Sequence, residues 1–110
     1  MYELFLQPQA SKDLLKLQKK AKIRHEKVSR TLSLMAERPF LESIKLKDDV
    51  FHGLRRARAG DDRIIFLICE ECRNEVLLSE DDKCIDCSDI PENGIKIFNI
   101  LPRKHAYRRR

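Results

Sequence analysis

The chain has 110 residues, a formal net charge of +5, 37% charged residues and 6% aromatics. That length supports one compact domain, residues 1–110, and excludes two, with a modest core beneath a heavily solvated shell. The longest apolar run, Ile64 to Cys69, is far short of the roughly 18 residues a membrane span needs, and the opening MYELFLQPQ lacks a basic leader and a long apolar stretch, so a cytoplasmic protein with no membrane partner is expected.

Residues 2–6 alternate Tyr2, Leu4 and Leu6 with Glu3 and Phe5, which predicts a short first strand. Pro8 suits the first turn of a helix, where its missing N–H costs nothing. Ala10, Leu14 and Leu17 then give a helical stripe to about Lys20. Val28, Leu32 and Met35 define a second helix from about Ile23 to Glu37, which Pro39 should end. The two helices form a hairpin with its lysines outside and its apolar stripe in the core. Residues 39–49 read as a connection. Strands are expected over Val50 to Ala59, Arg63 to Ile68 and Ile95 to Leu101, with Gly60-Asp61-Asp62 as a tight turn and Asn93-Gly94 as another. The order strand, helix, helix, three strands is an α+β layout, with the helices packed on one face of a small sheet.

Charge is unevenly distributed. Residues 70–92 hold nine Asp/Glu and two Lys/Arg, a net of −7, so the remainder carries +12. A basic body suits a polyanionic partner, because phosphate neutralisation by Lys/Arg releases condensed counterions. The lysines between Lys12 and Lys27 read as a solvated helix face. The arginines from 55 to 63 and the basic tail read as functional.

All four cysteines fall in one acidic segment, residues 69–92: Cys69-Glu-Glu-Cys72, eleven residues, then Cys84-Ile-Asp-Cys87. Two CxxC pairs can each wrap one side of a metal, and four thiolates suit tetrahedral Zn²⁺. The gap is shorter than in a usual zinc ribbon. With every position filled by sulfur, such a site is structural, not catalytic. Disulfides or free thiols are the plainer alternative, disfavoured in a reducing compartment. Redox activity is a further one, weakened by the lack of a βαβ context.

With residues 69–92 set aside, the rest resembles the RelE/ParE toxin superfamily. Arg56, Arg58, Gly60 and Arg63, leading into Ile64-Ile65-Phe66, match its Arg-x-Arg-x-Gly-x-x-Arg run. Pro102-Arg103-Lys104-His105-Ala106-Tyr107 looks like its C-terminal Arg-Lys-x-x-Tyr element. The resemblance implies a small, twisted, mainly antiparallel sheet with a strand and a two-helix hairpin at its N-terminal end. Here the cysteine segment would be inserted between the last two strands. It also implies a ribosome-dependent endoribonuclease that cuts mRNA, and a cognate antitoxin that neutralises it. Leu54 departs from the pattern, since some members carry a second basic residue there.

Cleavage by a ribose 2′-OH needs a base, stabilisation of the charged phosphorane-like state, and an acid for the leaving 5′-oxygen. Arginine suits the second task, with a planar fork that stays charged. Arg56 and Arg58 share a strand face, Arg63 can join them from the next strand, and Arg103 from the end of the last. His105 and Tyr107 are the acid/base candidates, the histidine by its near-neutral titration and the tyrosine if arginines lower its pKa. Arg55, Arg58, Lys104 and Arg108 are the expected RNA-backbone contacts. Competing readings are a ParE-like inhibitor of DNA gyrase and a non-catalytic zinc-containing protein that binds nucleic acid or the ribosome. The acidity of the cysteine segment weighs against its touching phosphate.

Overall fold

A computed structural model describes residues 1–40, 43–46, 54–74 and 90–102, with backbone alone for 72–74. The elements are β1 (Glu3–Leu6), α1 (Pro8–Lys20), α2 (Lys22–Glu37), β2 (Ile44–Lys45), β3 (Arg55–Ala59), β4 (Asp62–Ile68), α3 (Cys69–Asn74) and β5 (Gly94–Pro102). The strands form one five-stranded sheet in the order β1-β5-β4-β3-β2. Three pairings are antiparallel, and β1 joins β5 in parallel. The connection between these parallel neighbours is long, as a parallel pairing requires, and runs through α1, α2, β2, β3, β4 and α3.

Pro8 opens α1 as expected, and Arg38 caps α2 just before Pro39. Val28, Leu32 and Met35 are the buried residues of α2; Ala10 and Leu17 are those of α1. They pack onto Ala57, Ala59, Ile64, Phe66, Ile68, Ile95, Ile97 and Ile100, which face the helices. α1 lies on β5, and α2 on β3 and β4. Asp13 of α1 also accepts a 3.0 Å hydrogen bond from the Ile100 N–H.

Ala59 pairs with Asp62, so Gly60-Asp61 is a two-residue hairpin, and Gly60 has φ 65°. A glycine with positive φ at the first position fits a type II′ turn, whose twist matches the flanking strands. The expected three-residue turn therefore loses Asp62 to β4. Asp62 is 1% exposed and takes a bidentate fork from Arg24 of α2, Nε to Oδ2 at 3.0 Å and Nη2 to Oδ1 at 2.7 Å. Its hydrogen bond to Asp62 holds the Arg24 guanidinium pKa above its ordinary value, against an opposing desolvation. Asp62 thus fastens α2 to the sheet as well as ending the turn.

Two elements were not anticipated. The two-residue β2 lies in the stretch read as a connection, and α3 lies at the start of the segment read as a loop. β4 and β5 flank that segment, as expected. Residues 50–53 of the expected third strand, and the Lys47-Asp48-Asp49 turn, lie outside the described residues. Among the described residues no helix is long and apolar enough to cross a membrane.

Candidate functional site

Strand alternation assigns the remaining side chains to the sheet face away from α1 and α2. Register arranges them in rungs. Arg58 stands opposite Arg63, which stands opposite Leu101. Ile44, Arg56, Ile65 and Asn99 form the next rung. Leu54 follows one residue before the Arg55–Phe66 pair, bonded to the Leu46 N–H at 2.8 Å, and Leu67, Lys96 and Phe5 continue that rung. A bulge in β5 between the Ile65–Asn99 and Phe66–Ile97 pairs sets this alternation. Without the extra residue, Asn99 and Leu101 would turn toward the helices.

The expected grouping of Arg56, Arg58 and Arg63 on one face is therefore present. Their surroundings differ. Arg58 is exposed and Arg56 half-buried. Arg63 is 1% exposed, a difference from the cleft-lining position expected for it. Its Nη1 donates to the Asp62 carbonyl at 3.3 Å and approaches the Gly60 carbonyl at 3.5 Å, and its Nε has no acceptor among the described residues. The cause is register: β4 is the central strand, and position 63 lies between Arg58 and Leu101. A buried guanidinium raises the local positive potential of this face.

Arg55 belongs elsewhere. It points to the helix-bearing side, at the sheet end near α3, where it binds Glu71 with Nη2–Oε2 at 2.6 Å and Nε–Oε1 at 3.0 Å. Its guanidinium also stacks over Phe40 at 4.9 Å and reaches Ser43 Oγ at 3.3 Å. An arginine so engaged offers its fork to a carboxylate and not to a phosphate.

Lys96 was not singled out in the sequence. It is 5% exposed, on the same face as the three arginines and on the rung of Leu54. Its only signal was a lysine inside the apolar run Ile95–Ile100, at a strand-alternating position. A buried cation in a central strand is costly enough to mark a site.

Arg103, Lys104, His105, Tyr107 and Arg108 lie outside the described residues, as do Cys84, Cys87 and His52. β5 ends at Pro102, which pairs antiparallel with Asp62 next to the Gly60 hairpin. His25 is half-buried on α2. Cys69 is buried and forms no disulfide. Among the described residues no group of three or more His, Cys, Asp or Glu side chains could hold a metal ion.

This architecture is a RelE/YoeB-like fold. A chain of the YoeB–YefM complex from Staphylococcus aureus superposes with a TM-score of 0.61 at 19% identity, covering 92% of this chain and 95% of that one. The toxin–antitoxin complex RelBE2 from Mycobacterium tuberculosis gives 0.59 at 18% identity over 93% and 98%. The archaeal RelE–RelB complex from Pyrococcus horikoshii OT3 gives 0.56 at 24% over 93% and 94%. No family model matches the sequence, and no curated protein does either.

Proposed function

We propose that this chain is the toxin of a toxin–antitoxin pair, a ribosome-dependent endoribonuclease that cleaves mRNA. The observation that carries the reading is the cluster of Arg56, Arg58 and Arg63 on one sheet face, in a fold shared with proteins solved as toxin–antitoxin complexes. Arg56 and exposed Arg58 are the phosphate-facing pair, since their forks match non-bridging oxygens. Arg63 acts from beneath them. Its fixed charge stabilises the additional negative charge of the phosphorane-like state, and its Nε–H is a donor for a phosphate oxygen once the rung opens.

The tail supplies the rest of the chemistry. Arg103 adds charge at the end of β5, with Lys104 and Arg108 as backbone contacts. His105 and Tyr107 exchange protons with the 2′-OH and the leaving 5′-oxygen. The partners on this reading are mRNA in the ribosome and an antitoxin that covers the basic face.

The test is mRNA cleavage in a reconstituted translation reaction, with and without ribosomes, comparing wild type, Arg63→Ala and Tyr107→Phe. The reading expects cuts that need ribosomes and fall by about 10²–10³ in the arginine variant. Intact mRNA with normal translation would refute it and favour gyrase inhibition or a purely binding role.

A further inference from the structure

The bulge in β5 has a consequence on the arginine face. We infer, on the RNA reading of that face, that Asn99 reads a nucleobase edge beside Arg56, and that Asp13 is the positioning residue that holds it there.

Ile97 and Ile100 both belong to the helix-facing core, three positions apart where plain alternation gives two or four. Phe98 is the extra residue, since Asn99 pairs with Ile65 and Ile97 with Phe66. The bulge re-aims the next side chain, so Asn99 falls half-buried on the rung of Ile65 and Arg56. Asn99 and Arg56 flank Ile65 from the two neighbouring strands, which lie roughly 10 Å apart. They therefore meet different parts of a bound nucleotide, the arginine its phosphate and the amide its base.

This position has a support. β1 covers β5 only from Gly94 to Ile97, and the Gln7 N–H closes that stretch on the Ile97 carbonyl at 2.9 Å. Beyond it α1 takes over the edge. Asp13 Oδ2 accepts the Ile100 N–H at 3.0 Å, and Gln9 Nε2 donates to Asp13 Oδ1 at 2.9 Å. The carboxylate thus anchors β5 just past the bulge. A slip of one residue would turn Asn99 toward the helices, and it would break that bond.

Asparagine is depleted in strands, and neither strand propensity nor core packing explains one between Ile97 and Ile100. Its amide offers a donor and an acceptor side by side. Adenine presents the complementary pair at N6 and N7, so adenine is the base it selects. The arginines supply no such choice, because phosphate contacts carry no sequence information.

The test is binding of short oligo(A), oligo(C) and oligo(U) RNA to the full-length protein, by fluorescence anisotropy at several salt concentrations. Wild type should favour oligo(A) by about tenfold. Asn99→Ala should erase that preference and keep the salt dependence. Arg58→Ala should do the reverse, lowering the salt slope by about 0.7 and keeping the preference. Asp13→Ala should match Asn99→Ala, whereas Asp13→Asn keeps a carbonyl for the Ile100 N–H and should restore the preference. Asn99→Thr, which suits a strand, covers the case in which the alanine variant does not fold. Equal affinity of the wild type for the three RNAs, or a preference that survives Asn99→Ala and Asn99→Thr, would overturn the inference. An intact preference in Asp13→Ala would overturn the positioning role. Selective binding without mRNA cleavage would sink the nuclease reading alone, and cleavage without selectivity would sink this inference alone.

Discussion

The two faces of the sheet are made by alternate residues of the same strands, yet they solve different problems. The helix-bearing face is apolar from Ala57 to Ile100, and the one buried charge on it among the described residues, Asp62, has a bidentate partner in Arg24. The opposite face places Arg56, Arg58, Arg63 and Lys96 among Leu46, Leu54, Ile65 and Leu101. The first arrangement follows from what a core requires. The second puts two buried cations, Arg63 and Lys96, among apolar side chains, and leaves the Arg63 Nε without an acceptor among the described residues, which costs stability. A small domain has little stability to spare for that, so the charges are better explained by binding than by folding.

This contrast can be sharpened by mutation. Phe66 is fully buried on the helix-bearing face, so Phe66→Ala should cost about 3–5 kcal/mol, read by chemical denaturation. Arg24→Ala should follow, because it strands the Asp62 carboxylate. The loss should be up to about 3 kcal/mol, moderated because the Arg24 side chain is 45% exposed and water reaches the pair. Glu71→Gln weakens a half-buried pair and should cost about 1 kcal/mol. It also frees Arg55, and a gain in the salt sensitivity of RNA binding would show that the acidic segment restrains a cation.

The smallest effect concerns Tyr2. Burial and the Glu70 contact raise its pKa from 10.0. The folded state therefore favours the protonated phenol. That stabilising contribution is complete below the unfolded value and is lost as pH rises through the folded one. Tyr2→Phe should flatten the alkaline limb of the stability profile and leave neutral and acidic pH almost unchanged.

Much of the fold was legible because its long elements have strong periods. α1, α2, β4 and β5 fall within a residue or so of their expected bounds, since each shows a clear apolar stripe or a β-branched run. β2 escaped because two residues carry no period. α3 escaped because its six residues show acid and cysteine but no apolar face. The parallel place of β1 beside β5 is a matter of topology, which no local pattern encodes.

The site was legible in part. The spacing of Arg56 and Arg58 implied a shared face, and the register confirms it. The burial of Arg63, the Arg55–Glu71 pair and the place of Lys96 depend on which strand is central and what lies at its end. Asp62 shows the same limit. In sequence it reads as a turn residue, and only the packing of α2 reveals its ion pair.

The most direct test of the central claim, that the face away from the helices exists for RNA, is one variant measured two ways. Arg58→Ala should leave the thermal midpoint nearly unchanged, because Arg58 is exposed. The same variant should slow ribosome-dependent mRNA cleavage by about 10²–10³. A large loss of stability with cleavage intact would contradict the account, and would make this face a second core.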